Sequence, residues 1–496
     1  MKLYDVVVVG AGPVGLFLAT ELGLAGCSVV VLERDAEPSP LKAMPLGMRG
    51  LSATSVQAFY RRSMLADLQA ANDSRPEPAA ERPRRVGHFA GIMLDPEKLD
   101  LDALPYRIPG PAQDGEMTSL AALEEVLAAR AVKLGVEIRY GAAVTGLPQD
   151  DESVIVRAGE EEYAGRWAVG CDGGRSVVRG LAGFDFVGTE PLLTGYVMDA
   201  VVADPEKLQP WFNVTPTGMY IRMRHMPGYV GMMDFDGGAY DRTQPPTLEH
   251  LQSVLRRVSG TDVSLESVRL ASSFTDRAMQ ATTYRNGRVL VAGDAAHIHS
   301  PLGGQGLNTG LGDAMNLGWK LAATIRGDAP DGLLDTYTSE RHPAGAWVLD
   351  WTRAQVSVMQ PGPQASALQG LVCDLLQTRD GTTYVFEKLS GYGLRYDLGS
   401  EDPLVGRNAP DFELTDGRRL GDLMTDGRGV LLDFTGTLRD QATPWENSIR
   451  YVGLPATNDL GYDAVLVRPD GVVAWAGERD FEHAASTWWR GRRVVV

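Results

Sequence analysis

The sequence predicts an α/β protein with a parallel sheet covered by helices, an inserted antiparallel sheet, and a small α/β unit towards the C-terminus. Two stretches, residues 4–33 and 287–322, carry the first part of this prediction. Each runs from a short β-branched strand through closely spaced glycines into a helical pattern. Alternating apolar residues between positions 194 and 235 indicate the antiparallel sheet. With 496 residues, the chain is long enough for two to four domains.

The first stretch has the order strand, glycine turn, helix, strand, acid. Residues 4–9 and 28–32 are apolar strands, residues 16–24 have a helical pattern, and Glu33 ends the second strand. In such a unit the first glycine makes a tight turn, the second lets a pyrophosphate approach the backbone, and the third lets the helix pack on the strand. The order predicts a Rossmann-like dinucleotide-binding fold, whose cofactor-side residues are Gly10, Gly12, Pro13 and Gly15.

Two side chains at the end of the second strand bear on the choice of nucleotide. Glu33 is placed to accept hydrogen bonds from ribose hydroxyls. Arg34 could indicate a ribose phosphate, but Glu33 precedes it and would repel one, so the site favours a non-phosphorylated adenosine. The alternative for Arg34 is a solvated loop residue. This motif alone does not separate FAD from NAD.

The second stretch brings an acid, a glycine-rich loop and a helix start together. Residues 289–292 form a short strand, Asp294 follows it, and the helical pattern begins at Leu307. A carboxylate at a strand end can bind sugar-type hydroxyls, glycines let backbone N–H groups approach a flat ring, and a helix N-terminus favours an anion. The loop residues in question are Pro301, Gly303, Gly304 and Gly306.

The motifs Gly293-Asp294-Ala295-Ala296-His297 and Gly303-Gly304-Gln305-Gly306-Leu307-Asn308 resemble the second flavin-binding signature of the FAD-dependent aromatic hydroxylases of the para-hydroxybenzoate hydroxylase type. The resemblance implies that Asp294 contacts the ribityl chain of FAD. It also implies that Pro301, Gly304, Leu307 and Asn308 hold the isoalloxazine ring.

A third segment, residues 170–179, resembles the Asp-Gly motif of the same family. By this resemblance Asp172 lies beside the FAD pyrophosphate and the route of the nicotinamide cofactor, and Arg175 is a weaker candidate. The alternative is a capped helix start after a strand. The family also places an arginine in the loop after the second strand, and Arg49 could fill this flavin-side position. The chain departs from the family at Thr54 and Gln57, and at Ser119, where members often carry a flavin-contacting glutamine.

Residues 184–275 are interpreted as a substrate-binding sheet domain, with two strands joined by a Met-Pro-Gly turn after residue 225. Alternation places Tyr220 and Arg222 on one face, as candidate pocket residues, and Ile221 on the other. The methionines and aromatic residues of this segment form either a sheet core or an adaptable apolar pocket for a flat polycyclic substrate. The sequence does not say which face meets the flavin.

The rest of the chain completes the predicted domains. Residues 1–183 and 276–395 form the discontinuous FAD-binding domain, with helices over 323–395 that break at residues 339–343. Residues 402–496 resemble the thioredoxin-like C-terminal domain of the phenol and polyketide hydroxylase branch. They lack a CxxC motif, which favours a role in folding or dimerisation. Direct proton transfer by His297, His299 or His342 is less favoured than a structural role.

Net charge and cysteine content limit the classes of partner that the protein is expected to bind. Net charge is −17, which argues against nucleic acid or an anionic membrane as partner. Three separated cysteines indicate a reduced, cytoplasmic protein, and no His/Cys spacing indicates a metal site. No apolar run approaches the length of a membrane span.

The resemblance implies an FAD-dependent monooxygenase that consumes NADPH or NADH and O₂ and hydroxylates an aromatic substrate through a C4a-hydroperoxyflavin. A phenolic, polycyclic, polyketide-type substrate is the prediction, with a homodimer as a further expectation. The absence of a second GxGxxG fits a nicotinamide that binds only transiently. Two alternatives stay open: Baeyer–Villiger oxygen insertion on the same scaffold, and a non-catalytic dinucleotide-binding protein.

Overall fold

The structure is a computed structural model that describes residues 2–72, 86–224 and 226–491. Most of the surface loop predicted over residues 70–86 lies outside these ranges. Helices and strands are numbered in chain order. The first part contains β1 (Leu3–Val9), α1 (Pro13–Leu24), β2 (Val29–Leu32), β3 (Met48–Leu51), α2 (Ala53–Tyr60), α3 (Leu65–Asn72), β4 (His88–Phe89), β5 (Ile92–Met93), β6 (Glu116–Ser119), α4 (Leu120–Lys133), β7 (Glu137–Arg139), β8 (Val144–Gly146), β9 (Val154–Ala158), β10 (Glu161–Gly170) and α5 (Val177–Leu181).

The middle part contains β11 (Phe186–Thr189), β12 (Thr194–Val202), β13 (Trp211–Thr215), β14 (Gly218–Met223), β15 (Met226–Asp234), α6 (Leu248–Ser259), β16 (Leu265–Thr275), β17 (Ala278–Ala281), β18 (Arg285–Asn286), β19 (Val289–Val291) and β20 (His297–Ile298). The last part contains α7 (Gln305–Arg326), α8 (Thr336–Met359), α9 (Pro363–Leu376), α10 (Arg379–Ser390), α11 (Leu420–Leu423), β21 (Gly429–Asp433), α12 (Arg439–Ala442), β22 (Ile449–Val452), β23 (Ala464–Val467), β24 (Val473–Ala476) and α13 (Phe481–Trp488).

The main sheet is built around β1. Its order is β18-β19-β10-β1-β2-β7, and β1 pairs in parallel with β10 and β2. Val6, Val7 and Val8 are fully buried, which explains a continuous β-branched run rather than an alternating one. Because parallel strands end at one edge, the ends of β1, β2, β10 and β19 bring the glycine turn and the three acids that follow these strands to the same edge.

The antiparallel sheet has the order β13-β14-β15-β12-β16, and α6 covers one of its faces. The predicted Met-Pro-Gly turn is wrong, because Met226 pairs with Met223 and already belongs to β15. The register shifts after Arg222, and such an irregularity tolerates the missing N–H of Pro227.

The helices differ from the prediction at their ends. α4 begins at Leu120, where the Ser119 hydroxyl accepts from Ala122 N, because the residues before it pair with β3. The break predicted at residues 339–343 is wrong, since α8 runs through Pro343. Glu340 and Arg341, in the turn before Pro343, form buried ion pairs that help to hold this turn despite the lost hydrogen bond.

The C-terminal part forms its own sheet in the order β22-β21-β23-β24, with β22 and β21 parallel and the other pairs antiparallel. It joins the first part through Arg62, whose guanidinium binds Glu21 at 2.6 Å and donates to the Pro469 carbonyl at 2.8 Å. The predicted fold class is confirmed: a Rossmann-like part, an antiparallel sheet and a thioredoxin-like C-terminal part. The domain boundaries stay predictions.

Within the described ranges, no helix is long and apolar enough to cross a membrane.

Candidate active site

The first glycine turn fits a pyrophosphate. Gly10 has φ of 106°, and a Cβ there would collide with the carbonyl oxygen of Cys171. A Cβ on Gly15 would collide with the carbonyl oxygen of Gly10. Gly12 differs, because a Cβ there would meet no atom within 4 Å. The backbone is thus open to a ligand at Gly12, next to Pro13 at the first position of α1.

Glu33 faces this turn from the end of β2. One of its carboxylate oxygens accepts from Ala11 N at 2.7 Å, and the other accepts from Asp35 N at 3.0 Å. The carboxylate is therefore fixed beside the turn, where lone pairs remain for further donors. Arg34 is exposed and pairs with Asp35 at 2.9 Å, which is the solvated alternative that the sequence left open.

The second glycine loop reaches the same edge of the sheet. Gly303 and Gly304 have φ of 75° and 65°, a left-handed conformation that favours glycine. A Cβ on Gly304 would point into open space, whereas one on Gly306 would lie 3.3 Å from His299 Nε2. α7 begins at Gln305, two residues before the predicted Leu307. Gly304 therefore presents its open side to the space in front of the helix N-terminus.

The Asp294 side chain reaches the solvent-accessible surface. Protein atoms nevertheless surround it closely, and the resulting desolvation raises its pKa. The charges of His297 and Arg49 oppose this rise. Arg49 donates to the carbonyls of Leu46 and Met48 at 3.2 and 2.7 Å, and burial lowers its pKa while Tyr229 and Asp294 raise it. The charge of Arg49 thus acts both on the acid of the second motif and on Tyr229 of β15.

Asn308 ties the glycine loop to β3. Its side chain donates to the carbonyls of Gly50 and Gly304 at 3.0 and 2.8 Å and accepts from Ser52 N at 2.8 Å. The amide is fully used by the protein, so it shapes the site through the backbone. Leu307 packs partly buried against the main core, and Pro301 is exposed at the start of the loop.

Asp172 caps α5. It accepts from the backbone N–H groups of Val177 and Val178 at 2.7 and 3.1 Å, and from the Ser176 hydroxyl. This is the capped helix start that the sequence offered as the alternative. Arg175 points to solvent.

Arg179, which sequence reasoning did not assign, links the Asp-Gly motif to the second flavin motif. It donates to the carbonyls of Gly174 and Ala295 at 3.0 Å each. Its guanidinium also stacks 3.8 Å from the ring centroid of Phe186.

The two faces of the antiparallel sheet have different neighbours. Met219, Ile221 and Met233 belong to an apolar cluster with Leu302 of the glycine loop. Tyr220 belongs to the cluster beneath α6, where its hydroxyl accepts from Gln209 N at 3.1 Å, and Arg222 donates to the Leu208 carbonyl at 3.1 Å.

The placement of Tyr220 and Arg222 corrects the predicted pocket residues. Alternation separated the two faces, but only tertiary packing decides which one α6 covers. Both side chains are used by neighbours on the covered face, so they do not face the glycine loop. The face towards the loop also carries Phe212, Tyr229, Phe235 and Phe274, and Phe89 of β4 packs against the same cluster.

The three histidines have structural partners. His297 is fully buried, with Nε2 at 2.8 Å from Asp313. Burial lowers the pKa of His299 to about 4, so the ring is neutral at pH 7, with Nδ1 at 2.7 Å from the Ser300 carbonyl. The backbone carbonyl of His342 accepts from Gln280. His299 Nε2 has no partner among the described residues.

These features fit FAD. The backbone is open at Gly12 and Gly304, carboxylates stand at Glu33 and Asp294, and a helix N-terminus follows the second loop. A dinucleotide with a ribityl chain and a ring that becomes anionic on reduction matches this order of groups.

Comparisons with known proteins agree with the geometry. Residues 3–352 match the family "FAD binding domain", and residues 402–492 match "Aromatic-ring hydroxylase, C-terminal". A rifampicin monooxygenase from Streptomyces venezuelae is 42% identical over 494 residues, covering 96% of each chain.

Two solved structures have the same fold over the whole chain. An anhydrotetracycline hydroxylase from Streptomyces rimosus is 37% identical, with a TM-score of 0.86 over 98% of this chain and 99% of that one. An aromatic hydroxylase from angucycline biosynthesis is 32% identical, with a TM-score of 0.86 over 99% and 100%. The chain therefore belongs to the FAD-dependent aromatic-ring hydroxylases and is a monooxygenase of that family.

Proposed function

We propose that the protein hydroxylates a planar, polycyclic phenolic substrate held between the glycine loop and the face of the antiparallel sheet opposite α6. The observation that carries this proposal is the composition of that face. Met219, Ile221 and Met233 turn towards Leu302, and flexible methionine side chains adapt to large flat ligands. The substrates named for the relatives above support the same class.

The chain's own residues supply binding, orientation and a dry environment. Gly12 and Glu33 would hold the adenosine and pyrophosphate end of FAD, while Asp294 would bind the ribityl hydroxyls. The N-terminus of α7 would face the ring and favour negative charge on it. Bound FAD, reduced by NADPH or NADH, supplies the activation of O₂ and the oxygen transfer.

Arg49 has a specific part in this proposal. Its charge acts on both Asp294 and Tyr229, which we place at the ribityl chain and on the substrate face. A cation there favours the phenolate form of a substrate hydroxyl. The apolar face and Arg49 together orient a phenolic ring with its oxygen towards the cation.

A substrate screen tests the proposal. Monocyclic phenols, naphthols and hydroxylated tetracyclic compounds are compared for stimulated NADPH or NADH oxidation by the FAD-loaded protein. We expect the tetracyclic compounds to stimulate most, with hydrogen peroxide below the nicotinamide consumed. Equal stimulation by all ring sizes contradicts the proposed pocket, and an oxygen inserted into a carbon–carbon bond of the product establishes the Baeyer–Villiger alternative.

A pair of adjacent variants on opposite sheet faces tests the location of the pocket. Ile221→Asn places a polar amide on the face opposite α6, and Arg222→Gln places one on the face beneath α6. We expect Ile221→Asn to raise KM by about tenfold, since burying an unpaired amide costs about 1–3 kcal/mol, and Arg222→Gln to leave KM unchanged. The opposite pattern refutes the assignment of faces.

Two finer predictions rest on the sequence and the family. A homodimer is supported by the C-terminal unit without a CxxC motif, and sedimentation of the holoenzyme measures it. A cytoplasmic location is supported by three free cysteines, Cys27, Cys171 and Cys373.

A further inference from the structure

Arg341 is a buried hub on α8. It is 2% exposed, and its guanidinium uses all three nitrogen positions. Nε donates to Asp313 at 2.7 Å, Nη1 donates to the Tyr396 hydroxyl at 2.8 Å, and Nη2 donates to the Thr309 carbonyl at 2.8 Å. A buried arginine is costly unless its nitrogens find acceptors, and here each of the three nitrogens donates to one.

Two acceptors of Arg341, Asp313 and the Thr309 carbonyl, lie one turn apart on α7. The other carboxylate oxygen of Asp313 accepts from Gly293 N at 2.9 Å and from His297 Nε2 at 2.8 Å. Gly293 immediately precedes Asp294. Thr309 lies in the first turns of α7, whose N-terminus follows Gly304. The Asp313 carboxylate therefore joins α7 to the backbone next to the ribityl-binding acid, and Arg341 holds that carboxylate from α8.

The Asp313 carboxylate, which accepts from both Arg341 and Gly293 N, is ionised. Burial alone would raise the pKa of Asp313, but Arg341 and His297 lower it overall. The bridge from Arg341 to Gly293 is thus a charged one, with a guanidinium on one side and a backbone N–H on the other. Charge-assisted hydrogen bonds of this kind are shorter and stronger than neutral ones.

The adjacent residue, Glu340, points into a separate cluster. It accepts from both Arg468 Nη atoms at 2.8 Å and pairs with Lys320 at 3.0 Å. Arg468 also pairs with Asp470 at 2.6 Å. This cluster joins α7 and α8 to the C-terminal sheet, and among the described residues no hydrogen bond or ion pair links it to residues 293–309. Arg468 is thus a second buried arginine with paired nitrogens, and among the described residues it forms no hydrogen bond with the flavin loop.

We propose that Arg341 and Asp313 are positioning residues for the cofactor, setting the distance between Asp294 and the N-terminus of α7. They act through Gly293 and Thr309 and do not touch FAD themselves. The inference rests on the roles proposed above for Asp294 and the glycine loop. It goes beyond them, because it assigns the geometry of the site to a buried pair outside every cofactor motif.

The test compares Arg341→Met with Arg468→Met, each measured for unfolding temperature of the apoprotein, FAD affinity and flavin reduction potential. Both should unfold at lower temperature, since each strands buried carboxylates. Only Arg341→Met should weaken FAD, by about tenfold or more, and shift the reduction potential. Arg341→Lys, which keeps a cation near Asp313, should recover part of the affinity. Equal loss of FAD affinity in the two methionine variants overturns the proposal.

Asp313→Asn decides the matter if Arg341→Met does not fold. The amide preserves the volume but turns a donor towards either Arg341 or Gly293, so the bridge is broken without a cavity. Weaker FAD binding with a shifted potential supports the positioning role, and unchanged values for both refute it. Asp294→Asn distinguishes a failure of the role proposed for Asp294 from a failure of the positioning role proposed for Arg341 and Asp313. If it leaves FAD affinity unchanged, the proposed role of Asp294 fails; if it weakens FAD while Asp313→Asn does not, only the positioning inference fails.

Discussion

Alanine at Gly304 tests directly whether the glycine loop faces the flavin ring. Gly304 has φ of 65°, and a Cβ there meets no protein atom within 4 Å. Gly303 next to it has φ of 75°, but a Cβ there would lie 3.1 Å from Gln355 Nε2. The two glycines thus share a backbone conformation and differ in what their added carbon would meet.

This difference separates strain from contact with the cofactor. A left-handed alanine costs about 1–2 kcal/mol at either position. The strain is present with and without FAD, so it lowers the free energy of unfolding but largely cancels in FAD affinity. Only Gly304→Ala adds a carbon on the side where the ring is placed. We expect its dissociation constant for FAD to rise about tenfold or more, a loss of about 1.4 kcal/mol.

The assay titrates each apoprotein with FAD and follows the change in flavin fluorescence, with thermal unfolding measured in parallel. Gly303→Ala should lose similar stability and keep its FAD affinity within about threefold, a difference of less than 1 kcal/mol. Equal FAD affinities for the two variants, both folded, would mean that Gly304 does not face the ring.

Three further predictions follow from the site. Glu33→Ala should weaken FAD binding by about ten- to a hundredfold through lost charge-assisted hydrogen bonds, and it also removes the acceptor of Ala11 N at 2.7 Å. Equilibrium dialysis measures the FAD affinity, and an unchanged affinity rejects the ribose role of Glu33. Asp294→Asn should weaken FAD binding yet stabilise the apoprotein at neutral pH, because the pKa of Asp294 is raised and its ionisation costs folding free energy as pH rises through that pKa. The gain in stability should vanish below about pH 4, where Asp is protonated. A pH-independent difference in unfolding free energy between variant and wild type would contradict desolvation of Asp294. Substrate should accelerate anaerobic flavin reduction by NADPH or NADH in stopped flow, because we expect the flavin ring to move between an exposed position, where it is reduced, and a buried one. A substrate that binds these two positions unequally shifts their populations about tenfold per 1.4 kcal/mol of differential affinity. Equal reduction rates with and without substrate refute this gating of reduction.

The parts that the sequence predicted are those fixed by local backbone chemistry. Gly10, Gly12 and Gly15 follow one strand within six residues, and each has the steric environment that the motif assigns to it. The left-handed Gly303 and Gly304 are likewise a local requirement. The fold class followed from these units because a parallel strand, a crossover helix and a second strand pack in only one common way.

The errors concern contacts between residues far apart in the chain. Pro343 predicted a helix break, but buried pairs from Glu340 and Arg341 to distant residues hold α8 together. The two faces of β14 were separated by alternation, yet only α6 decides that Tyr220 is covered. Arg179 and Arg341 connect segments more than 25 residues apart, so no spacing in the sequence indicates them.

Labelled oxygen gives the most direct test of the central claim. The purified protein, yellow with bound FAD, is supplied with NADPH or NADH, labelled O₂ and the aromatic compound that best stimulates nicotinamide oxidation. A monooxygenase places a single labelled oxygen atom on a ring carbon of the product and the other in water. A product that carries no labelled oxygen, although nicotinamide is consumed and the protein is fully loaded with FAD, would contradict the account.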